Sequence, residues 1–367
     1  MKNTNIKIDK KTQNAIFNKI ISLYSISDGS INMKTRVVVF GIDHNHCEAK
    51  VKEMLEHPDE FDVAGVFCES QDVYQRRAKN SSVYKNVKFA DSEDELFAIP
   101  NIDFVLVEPA VKNLMVFAKK VLKRNLSMHL DKPAGLDIDE WKNILQEAEN
   151  KKLIIQMGYM YRYNKGIEYA LNKIKEGALG DIFHIYADMS TGLPKAFKEN
   201  LRQYDIPAPL MYIYGIHLID LIVSIMGKPL KIYTFNSKTG IDDISYQENN
   251  MAVFTYPKGT AVIKTFGSEV NGWENREFKV CGSKGTIKVS PIENKMVVQE
   301  CYLLDSPKPW SPCGRVVDIK EPNYRYLDQF RHLVKMLNGE KNPYSYEHEL
   351  LVHRLTLIAS GAIKDNE

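Results

Sequence analysis

The segment Gly41-Ile42-Asp43-His44-Asn45-His46 lies between a predicted buried strand and a predicted helix. Such a loop binds a dinucleotide when glycine lets the backbone approach a pyrophosphate and the helix N-terminus attracts the anion. Gly41 supplies the tight turn, whereas Asp43 and His46 replace the later glycines of G-x-G-x-x-G. We interpret the loop as a cofactor site with Asp43 pointing away or capping the helix. The alternative is a ligand-free helix start with Asn45 and Glu48 as a capping box.

The histidines of this loop offer a second interpretation, because His44 and His46 at a strand end also suit zinc. A catalytic zinc site needs about three protein ligands. His57, His332, His348 and His353 are predicted at a helix end or in C-terminal helices, and His129 belongs to the next motif. We therefore expect no metal.

Two further segments carry residues suited to proton and hydride chemistry. Asp131-Lys132-Pro133 follows a predicted strand, and a lysine there can stabilise an alkoxide as hydride leaves a carbinol. Gly215-Ile216-His217 opens an apolar helix, and a histidine can relay the carbinol proton. The structural alternatives are a surface lysine, a hydrogen-bonded core histidine and, for Asp220, a charge on the helix surface.

The elements that position these segments begin at Arg36. Fully apolar runs are typical of parallel strands buried on both faces. The predicted strands are Val37–Phe40, Val63–Phe67, Phe104–Val107, Leu126–Leu130 and Leu153–Met157. Helix-like patterns between them predict a doubly wound parallel sheet, whose ligands bind at the carboxyl ends of the strands. The Gly41 loop and Lys132 are therefore expected at the same sheet edge.

The chain is predicted to divide into residues 1–33, an N-terminal extension; 34–157, a dinucleotide-binding domain; and 158–367, a substrate and oligomerisation domain. In the extension, Ile16, Ile20 and Leu23 suit one face of a short helix. The last domain is predicted to be α+β, with helices over 163–175, 211–226, 326–337 and 346–363 and successive strands between 231 and 302. Strands that follow one another imply an antiparallel sheet.

Composition limits the possible partners. A chain of 367 residues suggests two domains, and a net charge of +2 favours neither nucleic acid nor an anionic membrane. The most apolar stretch, Leu218–Met226, is too short to span a bilayer. The five cysteines include no Cys-x-x-Cys, and the N-terminus has no signal-like apolar region. We expect free thiols and a cytoplasmic protein.

Together these motifs resemble the Gfo/Idh/MocA oxidoreductase family over nearly all of residues 34–365. The resemblance rests on five segments in the family's order: 131–133, 158–163, 177–181, 215–217 and 282–286. It implies a Rossmann domain, a C-terminal domain with an open, mostly antiparallel sheet, bound NAD or NADP, and a sugar or polyol substrate. It also implies assembly into homo-oligomers through that sheet.

By this resemblance Lys132 and His217 take the catalytic positions. On the cofactor side the interpretation places the residues Gly41, Ile42, Asp43, His44, His46, Glu69, Glu108, Pro109, Asp131 and Lys132. On the substrate side it places Tyr159, Arg162, Tyr212, Ile213 and His217. Glu69, near the end of the second strand, would bind the adenosine ribose and repel a 2′-phosphate, so NAD is predicted over NADP.

Three departures from the family pattern concern the chemistry. Ile213 stands where the family has an aspartate four residues before the histidine, although Tyr212 or Tyr214 can offer a hydroxyl. Glu108-Pro109 begins a segment that replaces Thr-Pro-Asn-x-x-His, and Cys68 takes the place of the acid ahead of Glu69. The prediction is an NAD-dependent sugar or polyol dehydrogenase. A redox-neutral, NAD-dependent glycosidase or lyase and a non-catalytic sensor remain alternatives.

Overall fold

The computed structural model describes residues 24–27, 30–305, 310 and 313–365. The predicted helix at Ile16–Leu23 lies outside these residues. The chain forms two compact units, 1–109 and 110–367. Among the described residues, no helix has the length and apolar character needed to cross a membrane.

The described part of the first unit begins with an antiparallel ribbon of β1 (Tyr24–Ser27) and β2 (Ser30–Met33), which sequence patterns do not reveal. Four parallel strands follow: β3 (Thr35–Phe40), β4 (Phe61–Phe67), β5 (Phe89–Ala90) and β6 (Phe104–Val107). The described residues of this unit also form the helices α1 (Cys47–Leu55), α2 (Gln71–Arg77) and α3 (Glu93–Phe97). β3 and β6 are almost fully buried, as their continuous apolar runs predict.

The second unit begins with α4 (Leu114–Lys123), β7 (Met128–Leu130), α5 (Ile138–Asn150) and β8 (Ile155–Met157). β7 and β8 are parallel. The six-stranded sheet has the order β5-β4-β3-β6-β7-β8, which confirms the predicted parallel sheet of the Rossmann type. In α5, Asp137 caps the first turn and the apolar residues recur at helical spacing, so one face is buried.

An eight-stranded sheet forms the rest of the second unit. Its strands are β9 (Ile182–Asp188), β10 (Lys231–Ser237), β11 (Asn249–Tyr256), β12 (Gly259–Phe266), β13 (Glu277–Gly282), β14 (Gly285–Val289), β15 (Val298–Tyr302) and β16 (Arg315–Val317). The order is β10-β11-β12-β9-β13-β14-β15-β16, which confirms an open, mostly antiparallel sheet. β9, which the sequence analysis did not identify, pairs parallel with β12 and antiparallel with β13 at the centre.

Five helices accompany this sheet: α6 (Lys165–Lys175), α7 (Lys195–Asn200), α8 (Ile216–Met226), α9 (Leu327–Leu337) and α10 (Tyr346–Ala359). α7 was not predicted. A continuous α-helix over 211–226 was predicted, but Met211–Gly215 is a π-helical turn before α8. Short π segments interrupt α-helices mainly at functional sites.

The expectation of five free thiols is wrong for Cys301 and Cys313, which form a disulfide with a Cα–Cα distance of 5.6 Å. β15 and β16 pair with Glu300 opposite Arg315, so the antiparallel register brings Cys301 and Cys313, which lie just beyond these two residues, close to each other. Cys47, Cys68 and Cys281 are free. Pairing across a hairpin depends on register, which the spacing of the cysteines alone does not reveal.

Candidate active site

Gly41 forms the turn at the carboxyl end of β3 with φ of +85°. A Cβ at this position would lie 2.8 Å from both Cα and N of Pro109. Only glycine meets both conditions, because a positive φ strains other residues and the space for a side chain is filled by backbone. The predicted tight turn therefore exists, and Pro109 lies directly against it.

The helix after this turn begins differently from the predicted capping box. The N-cap of α1 is His46, not Asn45, and it makes no side-chain cap hydrogen bond. Glu48 accepts a hydrogen bond from the Ser81 hydroxyl at 2.6 Å, so it does not reach back to the helix start. The His44 Nδ1 instead accepts the His46 amide at 3.3 Å. The capping-box interpretation is wrong because the helix starts one residue later than predicted and Glu48 bonds Ser81.

The carboxylate of Glu69 lies at the Gly41 loop. It accepts hydrogen bonds from the amides of Ile42 at 2.9 Å and Asp43 at 3.2 Å. Burial raises the pKa of Glu69, although these amide hydrogen bonds favour the charged form. A carboxylate thus stands at the end of β4, where a Rossmann domain carries its ribose-binding acid.

Asp43 is held by two arginines of α2. The Arg76 guanidinium donates to both carboxylate oxygens at 3.0 and 3.3 Å, and Arg77 donates to the carboxylate at 3.2 Å and to the Asp43 carbonyl at 2.7 Å. Burial raises the pKa of Asp43, but the arginines outweigh it and the pKa is lowered. The carboxylate is therefore charge-paired, which removes the objection that it would repel a diphosphate.

A buried charge cluster lies beneath the loop. Lys50 Nζ is 2.6 Å from Glu108 Oε1, and both side chains are almost fully buried. Glu108 Oε2 is 3.5 Å from His44 Nδ1. Sequence reasoning named Glu108 and His44 but missed Lys50, since a single lysine on a helix is normally exposed. The His44 amide donates to the Glu108 carbonyl at 2.9 Å, so backbone hydrogen bonding holds His44 beside this cluster.

Lys132, in the second unit, is not a surface residue. It is 4% exposed, and its ammonium donates to the Ile213 carbonyl at 2.7 Å, across 81 residues of chain. Its amide donates to Asp131 Oδ1 at 2.6 Å, and Asp131 is also fully buried. The surface-lysine alternative is wrong. The strand-end turn fixes Lys132 against the segment that leads into His217.

His217 lies in the first turn of α8 and is buried. The Tyr161 ring is 5.5 Å and the Tyr159 ring 6.2 Å from the imidazole, centroid to centroid. Burial raises the pKa of both phenols, so both carry their protons at neutral pH. Since neither phenol can act as the base, the imidazole of His217 is the candidate proton acceptor of this trio. Tyr161 was part of a recognised segment, but its contact with His217 was not foreseen.

Arg162 lies in a buried ion network. It forms a two-pronged ion pair with Asp220 at 2.6 and 2.8 Å and binds Glu349 at 2.8 Å, and His348 also hydrogen-bonds Asp220. Asp220 is completely buried, so the interpretation of a surface charge is wrong. The Arg162 guanidinium stacks on Tyr344 at 3.5 Å and on Tyr159 at 4.7 Å. Arg162 thus orients Tyr159 and fixes α8.

Ile213 lies in the π-helical turn, and its carbonyl binds Lys132. Its side chain belongs to an apolar cluster with the residues Leu201, Leu210, Tyr212, Ile244, Tyr246 and Leu357. On a regular α-helix positions 213 and 217, four residues apart, would share a face, but the π turn shifts this spacing. The Tyr212 hydroxyl donates to the Gly135 carbonyl at 2.7 Å.

This fold and these motifs define an NAD-binding oxidoreductase class. The model of the oxidoreductase family's NAD-binding Rossmann fold matches residues 35–159, and the model of the Gfo/Idh/MocA C-terminal domain matches residues 167–288. The chain belongs to the Gfo/Idh/MocA family.

Individual relatives are distant. The chain is 24% identical to the uncharacterized oxidoreductase YhhX of Escherichia coli, over 86% of this chain and 87% of that protein. It is 21% identical to the 2,7-anhydro-N-acetylneuraminate hydratase of E. coli, over 47% of this chain and 48% of that protein. The structure of the UDP-N-acetylglucosamine 3-dehydrogenase GnnA from Acidithiobacillus ferrooxidans superposes with a TM-score of 0.70 at 16% identity, covering 90% of this chain and 98% of that one.

Proposed function

We propose that this oxidoreductase uses NAD to oxidise a carbinol carbon of a sugar or polyol. The observation that carries the proposal is the buried ammonium of Lys132, fixed at 2.7 Å on the Ile213 carbonyl in the segment that leads into His217. An ammonium held in a dry site stabilises a developing alkoxide far better than one in water. Ile213 precedes His217 by four residues, so this hydrogen bond ties the Lys132 ammonium to the segment that carries His217.

The first unit fits a dinucleotide. Gly41 leaves room for backbone approach, Glu69 provides a carboxylate for ribose hydroxyls, and Asp43 is neutralised by Arg76 and Arg77. When bound, the nicotinamide supplies the hydride acceptor. Because the arginines are occupied by Asp43 and the Glu69 carboxylate opposes a 2′-phosphate, we propose NAD over NADP.

In this proposal, residues of the second unit stabilise the alkoxide, accept the proton and position the catalytic groups. Lys132 lowers the free energy of the alkoxide, and His217 accepts the carbinol proton. Tyr159 and Tyr161 flank the imidazole as protonated phenols, so they do not act as bases. Arg162 is a positioning residue, since its guanidinium is engaged by Asp220 and Glu349.

Mass spectrometry of ligand released from the purified protein, followed by dinucleotide reduction assays with hexoses and polyols, tests the proposal. We expect a recovered nicotinamide dinucleotide and net formation of NADH. Absence of dinucleotide binding would overturn the cofactor assignment. Binding of dinucleotide and sugar without turnover would point to the sensor alternative.

The second candidate is redox-neutral cleavage or hydration, which the name of the related hydratase favours. Lys132 and His217 would serve transient oxidation equally well, because the same carbinol proton must be moved. Sugar conversion with a constant absorbance of reduced cofactor would support this candidate. Net NADH accumulation would exclude it as the main reaction.

Asp43→Asn is expected to move cofactor preference towards NADP. The neutral amide would release Arg76 and Arg77 from their ion pairs, and the freed guanidinium groups would bind a 2′-phosphate. We expect the dissociation constant for NADP to fall by about tenfold, with little change for NAD, in fluorescence titrations. Asp72→Asn is the matched control, because Asp72 pairs with Arg76 alone. Equal NADP affinity in both variants would show that Asp43 does not restrain the arginines.

We also propose that a second copy of the chain covers the open sheet. The outward face of β10–β12 carries a row of neighbouring apolar side chains, in which Phe235 pairs with Met251 and Tyr233 pairs with Val253. Phe235 is 55% and Tyr233 is 44% exposed. Such a face on a soluble protein marks an interaction site.

Phe235→Glu is expected to shift the protein to monomer in light scattering after gel filtration, since it places a charge in the apolar face. Val116→Glu, at a comparably exposed position on α4, is the control and should keep the wild-type mass. A monomeric wild-type protein, or an unchanged mass for Phe235→Glu, would refute this assembly.

A further inference from the structure

A cavity of about 220 Å³ lies in the second unit, next to the recognised segment 158–163. It is lined by Met160, Tyr161, Asn164, Trp273, Glu293, Asn294, Asn323, Tyr324 and Arg325. Its volume suits one sugar ring or a substituent of a sugar. Three of the lining residues are asparagines, and the Asn164 carboxamide is already bonded to Ile292, Gly166 and Ile167. The exposed indole, the other two carboxamides and the arginine are side chains of the kind that bind hydroxylated, charged ligands by stacking and hydrogen bonding.

The cavity adjoins the proposed catalytic histidine through Tyr161. One side of Tyr161 lines the cavity, and its ring lies 5.5 Å from the His217 imidazole. The Tyr161 hydroxyl donates to Glu293 Oε1 at 2.7 Å. A substrate with its carbinol at His217 would therefore extend its next polar group towards this cavity.

Both carboxylate oxygens of Glu293 accept hydrogen bonds from other side chains of the protein. Its Oε1 accepts from Tyr161 and Arg276, and its Oε2 accepts from Arg325. Burial opposes its ionisation, but Arg276 and Arg325 outweigh this and lower the pKa of Glu293. Glu293 is thus a charged anchor between two arginines and has little capacity left for a ligand.

Arg276 and Arg325 differ in their exposure and in the hydrogen-bond donors that they have left for a ligand. Arg276 is 1% exposed, and its guanidinium also donates to the Thr191 hydroxyl at 2.5 Å and to the Ser190 carbonyl at 3.4 Å. Arg325 has a 35% exposed side chain, and its Nε donates to the Tyr326 hydroxyl at 3.0 Å. Within the described part of the chain, no hydrogen bond is formed by Arg325 Nη2.

The charge of the cavity favours an anion. The single carboxylate of Glu293 is shared between two guanidinium groups, those of the buried Arg276 behind the lining and of Arg325, which is the arginine that lines the cavity. Glu274 lies outside the lining residues, where it accepts the Asn294 amide at 3.0 Å and so orients that carboxamide. A guanidinium with an unused N–H forms its strongest hydrogen bonds with carboxylate or phosphate oxygens.

We propose that this cavity recognises a carboxylate on the sugar substrate and that Arg325 is the residue that binds it, with Trp273 beside the sugar ring. The inference rests on the proposed sugar oxidation and names its substrate class as an acidic sugar. A carboxylate is favoured over phosphate because one free Nη2 and two carboxamides match a small, singly charged group.

Calorimetric titration of the full-length protein tests this without requiring turnover. The probes are D-glucuronate and D-galacturonate, each compared with its neutral hexose, D-glucose or D-galactose. We expect at least one acid to bind at least tenfold more tightly than its hexose, and Arg325→Met to abolish that difference. Arg325→Lys should retain part of it, since it keeps the charge but loses the planar donor group.

Arg202→Met is the matched control, because this substitution removes the same charge and Arg202 lines a different cavity. It should leave the preference for acids unchanged, and thermal unfolding should show that each variant is folded. Equal binding of acids and hexoses, no binding of any probe, or a preference that survives Arg325→Met would overturn the proposal. Tight binding of an acid without oxidation would instead refute the proposed reaction and leave the carboxylate site intact.

Discussion

Replacing Lys132 with alanine is expected to lower turnover by about 10²–10⁴-fold, the scale of lost acid–base assistance. The ammonium is held in a buried position by the Ile213 carbonyl at 2.7 Å. Its loss would remove the positive charge available to a developing alkoxide. The measurement is steady-state dinucleotide reduction, with dinucleotide affinity determined in parallel.

The controls for this variant follow from its burial. Removing the ammonium removes the hydrogen bond that the Ile213 carbonyl accepts from Lys132. The loss costs about 1–3 kcal/mol, so the folded fraction must be measured first. Lys132→Met fills the space without the charge and should lose as much turnover as alanine. Lys119→Ala, whose lysine pairs with Glu140 on the surface at 2.5 Å, should keep full activity. Retained turnover in a folded Lys132→Met protein would remove Lys132 from the mechanism.

The parallel sheet was predictable because its strands are short apolar runs that are buried on both faces. β6 is predicted to the residue, and β3 and β4 differ only at their starts. β9 was not predicted, because its sequence, Ile-Phe-His-Ile-Tyr-Ala-Asp, mixes polar and apolar residues as a surface segment does. Its place at the centre of the sheet depends on pairing with β12 and β13, which the local sequence does not indicate. The π-helical turn also has the sequence of an ordinary apolar helix, and only packing distinguishes it.

Site residues were predictable from the sequence where their residue type has few structural roles after a buried strand. A glycine after a buried strand indicates a tight turn, and Gly41 has the required positive φ. The roles of Arg162 and Asp220 were not predictable from the sequence. Arg162 binds the carboxylates of Asp220 and Glu349, which lie 58 and 187 residues further along the chain, and no local pattern indicates such distant partners. No sequence motif predicts the cluster of Arg276, Glu293 and Arg325. Its members converge only through the β-sheet and the loops that follow it.

Ile213→Asp is expected to reduce the free energy of unfolding by about 3–5 kcal/mol, the usual effect of an uncompensated buried charge. The Ile213 side chain is 7% exposed and packs in the apolar cluster with Leu201, Leu210 and Ile244. It therefore lies among groups that cannot solvate a carboxylate. Chemical denaturation at several pH values is the measurement.

The pH dependence identifies the cause. Burial favours the neutral acid, so the folded state of this variant would bind the proton more tightly than the unfolded state. Stability would then fall as pH rises from about 4 to neutrality, and the defect would shrink on acidification. Ile213→Asn is the matched control, because a neutral amide of similar size should show a defect that does not change with pH. A stable Ile213→Asp protein with raised turnover would mean that the side chain reaches His217, as the family's aspartate pattern implies, and that the apolar cluster tolerates its loss. Because the Ile213 carbonyl also holds Lys132, a folded but inactive Ile213→Asp protein would show that the geometry of this turn controls the catalytic lysine.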